Sequence, residues 1–232
     1  MGGKDGQGQP VDFVACAKTF NKHIFRHNDT DIFIHSWSKE YEQDILNVYK
    51  PKAHIIQPQI KFKTISKGTR GNNEFRLQSR WYSNQEVIRL KAQYEKANKM
   101  RYDCVMLCRF DVLMFSDFIL DQYDQRFFWA SNWNPYPDGD KRPEKPPKYN
   151  RSPIYAGGGG LFDLWFFSNS SMMDYFSKAY MLRKNYRTSN THCLAWRHVK
   201  AKFPKSIRYT KYLVHDYDLY RWHIPALKKK KK

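Results

Sequence analysis

At 232 residues, 41% hydrophobic and 17% aromatic, the chain has the composition of a folded globule, which excludes disorder over most of its length. No apolar stretch approaches the ~20 residues that span a bilayer, and the glycine-rich start, residues 1–10, lacks the apolar core of a signal peptide. The net charge is +19, and removing the five lysines Lys228–Lys232 still leaves a basic body, so an anionic partner is expected: nucleic acid, a membrane surface or a phosphorylated small molecule.

The four cysteines, Cys16, Cys104, Cys108 and Cys193, contain no C-x-x-C pair and read as free thiols of a reducing compartment, so a cytoplasmic protein is expected. Gly2 is followed at position 6 by Gly6 rather than Ser or Thr, which does not match a myristoylation signal. Residues 1–10 read as a flexible start, 11–224 as one folded domain, and 225–232 as a basic, solvated tail with membrane-surface contact as its alternative.

In chain order, residues 11–17 are expected as a first strand, with Lys18-Thr19-Phe20-Asn21 as a loop after it. Residues 31–35 form a second strand, and Tyr41, Ile45, Val48 and Tyr49 sit at helical spacing up to Pro51. Residues 53–60 give a third strand, weakened by Pro58. The basic, glycine-dotted residues 63–73 read as a mobile loop, and 79–99 as the strongest helix, with Val87, Leu90, Tyr94 and Ala97 on one stripe. The apolar run 105–107 reads as the central strand, buried on both faces within a parallel sheet. Residues 126–130 form a short strand, and the proline-rich 134–149 a long loop. Four glycines, 157–160, lead into a strand at 161–167; helices follow through Met173, Phe176 and Tyr180 and over 191–203, with a last strand at 207–214. Strands alternating with helices predict an α/β fold with a mostly parallel central sheet flanked by helices.

Chemistry in open α/β sheets gathers at the carboxyl ends of strands, and there Arg109 and Asp111 stand two residues apart, on one face. A guanidinium and a carboxylate in that position suit a diphosphate and a divalent metal. Four stretches then carry a family resemblance: Asp31-Ile32-Phe33-Ile34-His35-Ser36-Trp37, Tyr102-Asp103 through Arg109-Phe110-Asp111, Asp163-Leu164-Trp165-Phe166-Phe167-Ser168, and His215-Asp216. In this order they resemble nucleotide-sugar glycosyltransferases of the GT-A type, as found in bacterial polysaccharide assembly and in large algal viruses.

The resemblance implies a single Rossmann-like domain, a nucleoside-diphosphate sugar donor (a UDP-sugar above all), an oligosaccharide or glycoprotein-glycan acceptor, and Mn²⁺ or Mg²⁺. It places Arg109 where the first Asp of the family's Asp-x-Asp pattern stands, which leaves one carboxylate for the metal. Asp111 and His215 are the candidate metal ligands, against salt-bridge or structural roles. Thr19 and Asn21 are candidates for the nucleotide, and Arg109 for its phosphates. Arg80 is favoured over Arg76 and Lys91 as a further phosphate contact. Asp163 is the candidate base for an inverting transfer, against a turn-capping role. Two other functions fit the charge: a nucleic-acid-binding protein, for which no module signature is present, and a sugar nucleotidyltransferase, whose glycine-rich, basic signature is replaced after the first expected strand by Lys18-Thr19-Phe20-Asn21.

Overall fold

The structure, a computed structural model, describes residues 12–65, 67–132 and 160–220. The expected proline-rich loop, most of the glycine run and the lysine tail lie outside the described residues. No helix among those described is long and apolar enough to cross a membrane.

The first element is a helix, not the expected strand. In α1 (Phe13–His23) the Asp12 carboxylate accepts from the Ala15 N–H at 2.8 Å, and Phe13, Cys16, Ala17 and Phe20 bury one face. That spacing has helical period, and with the aspartate cap it outweighs the β-propensity of the valine and phenylalanines. Strand β1 (Phe33–Ser36) follows, then α2 (Glu42–Tyr49), which ends with Lys50 in the left-handed region just before Pro51. Strand β2 (Ala53–Ile56) pairs with β1 in parallel.

Helix α3 (Gly68–Ala97) is 30 residues long and begins inside the segment expected to be a loop. Its first turns are held from outside: Phe75 meets Phe62 edge-on, and Gln78 donates to the Lys63 carbonyl at 2.9 Å. Tertiary contacts of this kind override the weak helix propensity of Gly71.

Strand β3 (Val105–Cys108) comes next, then β4 (Val112–Met114), β5 (Phe128–Asn132) and β6 (Phe162–Ser168). The chain continues through α4 (Ser170–Ser177), α5 (Ala179–Leu182), α6 (Thr191–Lys202), β7 (Ile207–Tyr212) and β8 (Tyr217–Leu219). The main sheet has the order β3-β6-β5-β7 and is mixed: β3–β6 and β6–β5 are antiparallel, β5–β7 parallel. The mostly parallel sheet is therefore corrected, and so is the central place of β3, which lies at an edge. Within this sheet the strand buried along its whole length is β6, with large apolar cores on its two sides. One core contains α1, α2, β4 and β8, the other α3, α4 and α6.

A buried charge network ties α3 to α4. The Lys91 ammonium donates to Glu95 at 3.0 Å, to the Ser170 hydroxyl at 2.6 Å and to Asp174 at 2.6 Å, while Arg101 reaches Glu95 and Asp174 from outside. The Tyr102 N–H donates to Glu95, so the network also fixes the entry into β3. Removing the ammonium would leave the buried Glu95 carboxylate without its buried cation. Lys91→Met is expected to cost about 3 kcal/mol in urea unfolding, and Lys91→Met with Glu95→Leu to recover most of that loss; a single variant as stable as the parent would show that the network carries no such energy.

Candidate functional site

The site is built by the antiparallel pairing of β3 with β6. Cys108 lies opposite Trp165, and the ladder runs on with the Arg109 N–H donating to the Leu164 carbonyl at 3.0 Å. The end of β3 therefore lies beside the start of β6, and Arg109, Asp111 and Asp163 meet at one lip of the sheet. Arg109 grips Asp111 with two bonds, Nε to Oδ1 at 2.7 Å and Nη2 to Oδ2 at 2.5 Å. Its third nitrogen stands 3.6 Å from Asp163.

Two further elements close the lip. Arg80 of α3 donates to the Asp163 carbonyl at 3.0 Å, while its Nε is buried without a partner. From the start of α6, the Thr191 hydroxyl donates to the Asp163 carboxylate at 2.6 Å. Next to it, His192 places Nδ1 at 3.0 Å from the Leu161 carbonyl and 3.7 Å from Asp163. The start of α6 is set by Asn190, whose side chain accepts from the His192 and Cys193 N–H groups. Asp111 is 3% exposed and Asp163 7%, so two carboxylates and two guanidiniums balance one another away from bulk water.

That burial sets the electrostatics. For Asp163 burial alone would raise the pKa, but His192, Arg109, Arg80 and the Thr191 hydroxyl together hold it well below the usual carboxylate range. For Arg109 burial disfavours the charge, yet Asp111 and Asp163 more than offset it and keep the guanidinium ionised. Arg80 is lowered by burial, opposed by Asp163. The neighbouring Cys108 thiol is pushed up to about 12 by burial, so it stays protonated and inert.

The other expected site residues fall elsewhere. Thr19 lies within α1, where its hydroxyl donates to the Cys16 carbonyl and accepts from the Met114 N–H, tying the helix to β4. Asn21 is exposed on the same helix. His215 sits in the turn between β7 and β8, at the Met114 end of the β4–β8 ladder, whereas Asp111 stands at the other end, where its carbonyl accepts from the Tyr220 N–H. The structure does not bring His215 and Asp111 together, and among the described residues no three His, Cys, Asp or Glu side chains are arranged to hold a metal ion. Arg76 is exposed and Lys91 belongs to the α3–α4 network. Thr191 and His192 were missed, because their proximity to Asp163 depends on α6 packing against the start of β6.

A second cluster lies at the carboxyl ends of the parallel pair β1–β2. Trp37 stacks on Tyr82 of α3 at 5.5 Å between centroids, with His35 edge-on to both. His35 Nδ1 and Trp37 Nε1 are buried without hydrogen-bond partners, and burial lowers the His35 pKa to about 4, which keeps its ring neutral.

No protein-family model matches the chain, and no curated protein sequence matches it. Among solved structures, it is similar to a glycosyltransferase involved in the glycosylation of the major capsid of PBCV-1. The superposition covers 87% of this chain and 98% of that one, with 9% identity and a TM-score of 0.43. Overlap at that level carries no chemistry across, so function is read from this chain's own side chains.

Because the folded-state pKa of Asp163 lies below its unfolded value, the ionised carboxylate adds stability that is complete above the unfolded pKa of about 3.9 and is lost as pH falls through the depressed value. Asp163→Asn is therefore expected to be less stable than the parent at pH 7, with the gap closing as pH is lowered from about 5 towards 2. Urea midpoints of both proteins across that range check it; a gap that does not change with pH would contradict the assigned charge state.

Proposed function

We propose that this chain is a glycosyltransferase that moves a sugar from a nucleoside-diphosphate sugar, of the UDP type, to a saccharide hydroxyl. The observation that carries the reading is the convergence of two partly buried guanidiniums, Arg80 and Arg109, with two buried carboxylates, Asp111 and Asp163, at one lip of the sheet. A core built for stability alone gains little from such a cluster, since apolar side chains of similar volume serve as well or better. Guanidinium forks match phosphate oxygens as they match carboxylates, so Arg109 can exchange a carboxylate contact for the leaving diphosphate. Fixed cations in a site poor in water stabilise the charge that develops as the sugar–phosphate bond breaks.

In the proposed reaction the acceptor oxygen bonds to the anomeric carbon, and the bond from that carbon to the phosphate oxygen breaks. The diphosphate leaves with the electron pair. The proton of the acceptor hydroxyl goes to His192, whose ring is oriented by the Leu161 carbonyl and by Asp163. Asp163 is better suited to orienting His192 and Arg109 than to taking the proton, since a carboxylate held so low is a poor base. The divalent metal implied by the family resemblance fits these residues badly. Both oxygens of Asp111 are on Arg109, and His215 stands apart, so no step is routed through a metal.

Binding is tested by the melting temperature with UDP and GDP, each with Mn²⁺ and with chelator. An upward shift with at least one diphosphate is expected, and none with any of them would sink the reading. Turnover is read as nucleoside diphosphate released from a panel of sugar nucleotides. Arg109→Lys keeps the charge but not the fork and is expected to lower turnover about 100-fold at a temperature where the variant is fully folded. His192→Asn is expected to lower turnover about 100-fold while the nucleoside-diphosphate melting shift persists, and a variant with parent turnover would take His192 out of the proton step.

A further inference from the structure

Between Asp174 and Asp216 the chain contains no acidic residue, although it has 22 in all, and this 41-residue interval carries ten lysines and arginines. The interval folds into one region: α5, the turn after it, α6 and β7. Arg197, Lys200 and Lys202 of α6 are exposed, as are Lys205 and Arg208 just beyond it. Lys178, Lys184 and Arg187 add exposed charge from the segment preceding α6. Arg197 joins the two parts by donating to the Tyr186 carbonyl at 2.6 Å.

The way these cations are held narrows the partner. Lys200 lies over the Trp196 ring at 4.3 Å, Lys202 over Tyr175 at 4.6 Å and Arg208 over Phe127 at 4.0 Å. Their stems lie along rings, and exposed Met181, at 69%, adds an apolar point in the same interval. Rings covered in this way are not open platforms for nucleobases, which argues against single-stranded nucleic acid. Five of the eight exposed cations are lysines, point charges that respond to a diffuse negative surface rather than to a planar anion. Clustered lysines and arginines of this kind are drawn to the negative surface of a membrane that carries anionic lipid.

We propose that the α5–α6–β7 face docks the chain on a membrane rich in anionic phospholipid. The proposal rests on the surface and not on the reaction at the sheet lip, so the two stand or fall separately. Attraction of this kind is additive over the lysines and arginines near the surface and is screened by salt.

The test uses the full chain, lysine tail included, sedimented with vesicles of phosphatidylcholine alone or of phosphatidylcholine and phosphatidylserine at roughly 3:1. Binding is expected only to the mixed vesicles, falling steeply between about 0.1 and 0.5 M salt. Reversing the patch in K200E/K202E/K205E/R208E is expected to weaken it by at least about 100-fold with the tail still present. If that variant melts early, the glutamine versions at the same four positions replace it and are expected to weaken binding in the same direction. Equal binding to both vesicle types, or full binding by the folded variant, would overturn the proposal. So would capture of a short single-stranded RNA, lost in the variant, by a chain that ignores the vesicles.

Discussion

The candidate site depends on one ladder, the antiparallel pairing of β3 with β6. Because these strands run in opposite directions, the carboxyl end of one lies beside the amino end of the other, and residues more than fifty positions apart in sequence become neighbours. A parallel arrangement would have placed Asp163 at the far end of the sheet from Arg109. The Arg109 N–H to Leu164 carbonyl bond extends the pairing past the strand end and brings the guanidinium level with Asp163. All further contacts at the lip, from Arg80 on α3 and from Thr191 and His192 on α6, are made to groups already placed by that ladder.

Helix α3 connects two charge systems of different character. Towards its carboxyl end, Lys91 sits in a saturated network with Glu95, Ser170 and Asp174, each group finding several partners. Near its middle, Arg80 contacts the lip with Nε left without a partner. The first arrangement fastens α3 to α4 and has little capacity left to bind anything else. The second keeps hydrogen-bonding capacity in reserve beside another guanidinium, which is the expected condition of a group that meets a ligand. The same reasoning separates Arg80 from Lys91, which composition and helical position alone could not do.

Charge is also divided between interior and surface. Inside, the buried carboxylates Asp111 and Asp163 both face Arg109, with Arg80 as a second cation beside Asp163. Outside, the interval between Asp174 and Asp216 has cations and no carboxylate to balance them. About half of the surplus positive charge of the protein thus falls in one stretch of helix and strand, where Lys200, Lys202 and Arg208 lie over aromatic rings.

Local chemistry made several elements legible in the amino-acid order alone. The apolar runs at β1, β3 and β6, the helical spacing in α2 and in the later turns of α3, and the stop at Pro51 all appear there, because each follows from side chains within a few positions of one another. The Arg109–Asp111 pair was legible for the same reason. Where local signals competed, the reading failed: at α1 an aspartate cap and a helical stripe prevailed over β-propensity, and at the start of α3 contacts to Phe62 and Lys63 prevailed over glycine. Tertiary structure alone decided strand order, the edge position of β3, the separation of His215 from Asp111 and the presence of Thr191 and His192 beside Asp163. These depend on hydrogen bonds and packing between segments far apart in the chain, and a periodicity read over a dozen residues contains no information about which distant partner a strand or helix will meet.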